Sequence, residues 1–268
     1  MVGSYDVFCL DVQGVLMNGE EVVWGAAEMI GELRQRNKSL CIMTNQFSSS
    51  PGQISETLMR AGLLIEGCPV ITPREALVRW VSQQKMAQER CVVLGSEADR
   101  QFTASTGLRI VGWDDPFSIL LVGQPEVSLQ PAALERAISK LARAAERGQR
   151  PILLVPNPDC VVPRASGVGL GPGAAAEAIV DAIARVVGPG ALDVQILGKP
   201  GPWLFVLAKE RFPQGRMVMI GDQVETDIEG AHQAGMDSAL LVSGELSKRR
   251  WNGYQGKTYP TYAITRLI

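Results

Sequence analysis

Val7-Phe8-Cys9-Leu10-Asp11-Val12-Gln13-Gly14 decides how the chain reads. Four apolar residues in a short, unbroken run are what a strand buried on both faces requires. A carboxylate directly after such a strand, followed by a turn-forming glycine, stands where parallel α/β sheets gather their chemistry. Outward from this stretch, apolar runs alternate with helical-period segments along nearly the whole chain. Strands are expected at 5–10, 39–43, 91–94, 118–122, 151–155, 194–197, 217–220 and 238–242. Helices are expected at 26–36, 52–61, 74–84, 131–146, 174–187, 202–211 and 225–234, with Gly62, Gly148, Gly188 and Gly235 marking turns. This alternation predicts an α/β fold built on mainly parallel sheet.

The 268 residues are 46% hydrophobic and 20% charged, an ordinary globular balance with ample material for a core. Lys and Arg number 26 against 28 Asp and Glu, a net charge of −2, so no bulk attraction for nucleic acid is expected. No apolar run is long enough to span a bilayer and the N-terminus shows no leader pattern, which points to a cytoplasmic protein with no membrane partner. Cys9, Cys41, Cys68, Cys91 and Cys160 are odd in number and scattered, and His232 is the only histidine. Reduced, structural thiols fit that pattern; a histidine triad or a structural zinc site does not. Trp24, Trp80, Trp113, Trp203 and Trp251 read as packing residues, and Lys248-Arg249-Arg250 as a solvated loop.

Four polar clusters follow strands directly: Asp11-x-Gln13-Gly14, Thr44-Asn45-Gln46, Gly198-Lys199-Pro200 and Gly221-Asp222-x-x-x-Thr226-Asp227. At the carboxyl ends of parallel strands they would converge on one sheet edge. There Asp11 can act as a nucleophile toward phosphorus, and Asp222 can share a Mg²⁺ with it. Lys199 can offset the negative charge, and Thr44 and Asn45 can bind phosphoryl oxygens beside it. Asp227 suits a helix N-terminus and can also hold a metal-bound water. Each residue has an ordinary reading as well: Asp11 as a turn residue, Asp222 and Asp227 as helix-start acids, Lys199 as a loop lysine, Thr44-Asn45 as a cap. Their joint order favours the chemical reading. The long interval between the second and third clusters holds its own strands and helices, so 70–192 reads as an inserted domain and 1–69 with 193–268 as the core.

Together the clusters resemble, in order, the four motifs of the haloacid dehalogenase-like (HAD) phosphatases. Asn157-Pro158-Asp159 with Pro163, Gly171-Pro172-Gly173 and Gly198-Lys199-Pro200-Gly201-Pro202 resembles the NagD-like branch, class IIA, with its C2-type cap. The resemblance implies a Rossmann-like core with an inserted α/β cap, and Mg²⁺-dependent hydrolysis of a small phosphorylated metabolite through an aspartyl-phosphate. It implies that Asn157 and Asp159 lie on the substrate side of the cap, that the backbone carbonyl of residue 13 joins Asp11 and Asp222 on the metal, and that the cap serves homodimerisation.

The sequence departs from that pattern at Gln13, where the family has the aspartate that protonates the leaving group and then activates water. Glutamine keeps hydrogen-bonding capacity but cannot transfer a proton. General acid–base catalysis is worth ~10²–10⁴-fold, so slow turnover or restriction to good leaving groups is expected, with a phosphate-binding pseudoenzyme as the alternative. The basic residue usual soon after the second motif is absent, as is the arginine usual after the first aspartate of the fourth, where Gln223 stands. Ser48, Ser49 and Ser50 are the neutral donors available in their place.

Overall fold

The computed structural model describes residues 2–164, 167–243, 251–252 and 256–267; Ala165, Gly244 and Lys248-Arg249-Arg250 lie outside these. Two mainly parallel sheets organise the chain. The first contains, in chain order, Val7–Leu10, Ser39–Met43, Val70–Ile71, Met217–Gly221, Asp237–Leu241 and Tyr262–Ile264. Numbered in that order, they lie in space as 3-2-1-4-5-6, and every pairing is parallel. The order reverses between Val7–Leu10 and Met217–Gly221, opening a crevice beyond their carboxyl ends. Both strands are wholly buried, which accounts for their uninterrupted apolar runs.

The second sheet contains Arg90–Leu94, Arg109–Ile110, Ile119–Val122, Ile152–Val155 and Asp193–Ile196, also all parallel. In its own chain order it lies as 2-1-3-4-5, so its reversal falls between Arg90–Leu94 and Ile119–Val122. The expected strands and most expected helices are present within a residue or two. Val70–Ile71, which the sequence reading set at the start of the inserted domain, is hydrogen-bonded into the first sheet beside Ile42–Met43. Asp193–Ile196, assigned to the core, pairs instead with Ile152–Val155 in the second sheet. A buried apolar run carries no mark of which of two parallel sheets it joins.

Helix starts follow local chemistry. Pro51–Arg60 begins at Ser50, whose hydroxyl accepts from Gln53 N while the Gln53 side chain accepts from Ser50 N. Pro73–Gln83 is capped by Thr72, and Glu97–Ser105, which the sequence reading missed, by a capping box of Ser96 and Asp99. The segment expected as one helix over 225–234 begins as a π-helical turn, Val224–Ile228, before the α-helix Glu229–Gln233.

One apolar cluster spans both sheets. Trp80 of Pro73–Gln83 packs in it with Met43 and Ile71 of the first sheet, Val93 and Leu121 of the second, and Phe205 of the helix Pro202–Arg211. Trp24, expected to pack, is instead 69% exposed.

Candidate active site

Asp11 and Asp222 stand at the reversal point of the first sheet, each one residue beyond its strand. Lys199 arrives from the second sheet: Leu197 N donates to Val155 O at 3.0 Å, and two residues later the lysine side chain crosses to the first sheet. Its buried Nζ donates to Asp11 Oδ1 at 2.7 Å, Asp227 Oδ1 at 2.6 Å and Met43 O at 3.1 Å. Gly198 allows this approach, since a Cβ there would lie 2.4 Å from Pro156 O and 2.5 Å from Asn45 Oδ1. Gly14, at φ +89°, is needed too: a Cβ would sit 2.2 Å from Asp222 Oδ2.

Carboxylate oxygens of Asp11, Asp222 and Asp227 all lie within 4.8 Å of one another. Burial pushes the Asp11 carboxyl up to about 7 against the pull of Lys199, with Asp227 adding to the rise. Burial, then Asp11 and Asp227, holds Asp222 well above the usual carboxylate range. For Lys199 burial opposes the charge, but Asp11 and Asp227 outweigh it and hold the ammonium above its ordinary value. Among the described residues, Asp222 Oδ1 is the one buried side-chain oxygen or nitrogen without a hydrogen-bond partner. Three carboxylates against one ammonium, with an orphaned oxygen among them, fit a hard dication with oxygen ligands. Asp227 is otherwise engaged, its Oδ1 by Lys199 and its Oδ2 by Gln223 N at 3.2 Å.

The amide of Asn45 is spent on positioning. Its Oδ1 accepts from Lys199 N at 2.6 Å, and its Nδ2 donates to Lys199 O at 3.0 Å and to Asp159 Oδ1 at 3.1 Å. Asp159 thus reaches the site from the second sheet, on a turn in which Asn157 Oδ1 accepts from Asp159 N at 2.8 Å. Thr44 is buried, its hydroxyl oxygen accepting from Gln46 N at 3.3 Å. The Gln13 side chain is bonded to the turn of the hairpin formed by Met17–Asn18 and Glu21–Val22: its Oε1 accepts from Gly19 N at 3.0 Å and its Nε2 lies 3.5 Å from Gly19 O.

Of the three serines expected as neutral donors, Ser48 spends its proton away from Thr44 and Asn45, while Ser49 and Ser50 are engaged as acceptors. Ser48 donates to Asp99 at 2.9 Å, Ser49 accepts from Gln46 Nε2 at 2.8 Å, and Ser50 caps a helix. A cation from further along the chain holds the backbone of the loop that follows the second motif. Arg74 donates through Nε to Phe47 O at 2.7 Å and through Nη2 to Ser48 O at 2.8 Å. Neither Arg74 nor Asp99 was singled out from the sequence; for Asp99 the glycine just past each adjoining strand, Gly95 and Gly123, was the available signal.

Residues 8–109 match the family described as haloacid dehalogenase-like hydrolase, and residues 196–267 match its HAD-hydrolase-like companion. The chain belongs to the haloacid dehalogenase-like hydrolases. It is 27% identical to a D-glycerol 3-phosphate phosphatase of Mycobacterium tuberculosis, across 97% of this chain and 69% of that protein. The glycerol phosphate phosphatase structure from the same organism, solved with magnesium, covers 99% of this chain and 77% of its own at a TM-score of 0.78 and 24% identity. A putative NagD protein matches at a TM-score of 0.76 and 22% identity, over 100% of this chain and 97% of its own. The likeness to the putative NagD protein shows a shared fold.

Proposed function

We propose that this HAD-like hydrolase is a Mg²⁺-dependent phosphatase of a small phosphorylated metabolite, working through an aspartyl-phosphate on Asp11. The observation that carries the reading is Asp11 held by buried Lys199 at the sheet's reversal point, beside the orphaned Asp222 Oδ1. Asp11, Asp222 and the Gln13 carbonyl would hold the Mg²⁺, which supplies charge neutralisation for the transferring phosphoryl group. Lys199 fixes Asp11 through Oδ1, and in this reading Oδ2 attacks phosphorus as the P–O bond to the leaving group breaks. Water then attacks the acyl-phosphate, releasing inorganic phosphate and restoring the Asp11 carboxylate. Thr44 can donate its hydroxyl proton to a phosphoryl oxygen, and Asn45 serves by fixing Lys199 at both its N–H and its carbonyl.

Gln13 transfers no proton, and its amide is engaged by Gly19. The leaving group therefore departs without help from residue 13, which favours aryl, enol or acyl phosphates over alkyl esters. Small-metabolite specificity agrees with the relative that acts on D-glycerol 3-phosphate. In this reading the unit built on the second sheet, from Arg90 to Ile196, forms the cap that admits substrate past Asn157 and Asp159. The same unit serves a homodimer, for which the exposed Val161 and Leu170, paired across a hairpin, offer apolar surface.

Steady-state phosphate release from p-nitrophenyl phosphate, an acyl phosphate and glycerol phosphates, with and without Mg²⁺, tests the function. Mg²⁺-dependent turnover of the activated esters that vanishes in Asp11→Asn is the expected result. Mg²⁺-dependent phosphate binding with no turnover of any ester would establish the pseudoenzyme instead.

A further inference from the structure

The reversal point of the second sheet holds a carboxylate of its own. Asp99 has no exposed surface, and its Oδ2 accepts from Ser96 N at 2.9 Å and from Gln124 N at 3.2 Å, the residues just past Gly95 and Gly123. Those two glycines lie back to back, with a Cβ on either falling 2.6 Å from Asp99 Oδ2 and 3.0 Å from the other's Cα. The remaining oxygen, Oδ1, accepts from Ser48 Oγ at 2.9 Å, and Ser48 belongs to the loop between Met43 and Ser50. The crevice where a doubly wound sheet ordinarily receives its ligand thus receives a loop of the other sheet.

We infer that Asp99 is a positioning residue for the reaction, acting through Ser48 to fix the loop that carries Thr44 and Asn45 against Lys199. The inference rests on the phosphatase reading for its chemistry. The loop's neighbouring contacts point the same way. Arg74 grips the carbonyls of Phe47 and Ser48, and its guanidinium lies 4.3 Å from the Phe102 ring centroid. Phe47 packs edge-on against Phe102 at 5.7 Å. Ser48 is therefore held at its carbonyl by a cation and at its hydroxyl by an anion. A hydrocarbon side chain at position 99 would leave Ser96 N, Gln124 N and the Ser48 hydroxyl without this acceptor. Beyond closing its own turn through Oδ2, the carboxylate offers through Oδ1 a directional, charge-assisted acceptor aimed at one hydroxyl of the other sheet's loop. Thr44 and Asn45 lie only four and three residues before that anchor, and Met43 O already accepts from Lys199 Nζ. A loop released at Ser48 would loosen on the side facing the phosphoryl group.

The test uses the full chain with Ser48→Ala, Ser48→Thr, Asp99→Asn and the Ser48→Ala, Asp99→Asn double variant. Ser48 is half-buried in a loop, so removing its hydroxyl leaves the fold intact. With p-nitrophenyl phosphate and Mg²⁺, Ser48→Ala is expected to lower kcat about tenfold with KM nearly unchanged, and Ser48→Thr to restore it. Asp99→Asn should lower kcat by a much smaller factor in the Ser48→Ala background than in the parent, since its hydrogen bond to the loop is already cut and only its field on Arg74 remains. Deuterium uptake by the 44–50 peptide of the metal-free protein should rise severalfold in Ser48→Ala. Unchanged uptake overturns the inference, as do unaltered kinetic constants in Ser48→Ala or a further large loss in the double variant. A parent chain that hydrolyses none of the esters sinks the phosphatase reading, and the uptake measurement then decides the positioning role by itself.

Discussion

Between Val7–Leu10 and Met217–Gly221 the first sheet opens a crevice lined by Asp11 and Asp222; between Arg90–Leu94 and Ile119–Val122 the second opens a crevice of the same topological kind, holding Asp99. Both place buried carboxyl groups beyond the carboxyl ends of parallel strands. Their surroundings differ. Asp99 receives two backbone N–H groups and a hydroxyl, which account for its charge within the protein. Asp222 keeps an oxygen without any partner, and Asp11 shares one ammonium with Asp227. The topology fixes where a site can be; the supply of donors decides whether it is closed by the chain itself or left to a metal and a substrate.

The sharpest way to break the comparison is to neutralise the first crevice. Asp11→Asn should lower kcat by about 10⁴-fold or more while the protein stays folded, read by phosphate release and circular dichroism. Gln13→Asp comes next: hydrolysis of alkyl phosphates should rise about 10²-fold, with a smaller gain for p-nitrophenyl phosphate, whose leaving group needs little protonation. An equal gain for both esters would contradict the leaving-group argument. In the second crevice Gly123→Ala should cost about 1–3 kcal/mol, read as a lower denaturant midpoint, because the added methyl meets both Asp99 and the Gly95 backbone.

The remaining contrast is in the pH dependence of stability. Burial raises the Asp11 carboxyl in the folded chain to about 7, above roughly 3.9 in the unfolded one. The folded state then binds the proton more tightly, so this contribution is fully present below about pH 4 and is lost as pH rises through about 7. Melting of the metal-free protein should show this slope, Mg²⁺ should raise Tm more at pH 8 than at pH 5, and Asp222→Asn should make the metal-free slope shallower.

Much of this was legible in the sequence. Asp11, Thr44, Lys199 and Asp222 each lie within three residues of a strand's end, so placing the strands also placed these site residues, with Asp227 five residues past Asp222 in the turn that follows. Asn45 was read as a phosphate ligand, yet its amide pairs with the backbone of Lys199, a contact across 154 positions that no local pattern announces. Ser48 and Asp99 meet across 51 positions only because two sheets face one another, so no local pattern announced their pairing. The short strands Val70–Ile71 and Arg109–Ile110 contain two residues each, too few to show any period.

The strand Asp193–Ile196 ends in the second sheet, and three residues later Lys199 is in the first sheet's crevice. This short span limits how the molecule can be recombined. An inserted unit exchanged for that of a relative brings its own last strand, and that strand sets the height and angle at which the lysine enters. A chimera joined after Lys199 inherits a matched strand and lysine; one joined before Asp193 must fit a foreign sheet to a resident lysine. The last strand of the inserted unit and the placement of the Lys199 ammonium therefore travel together in this scaffold.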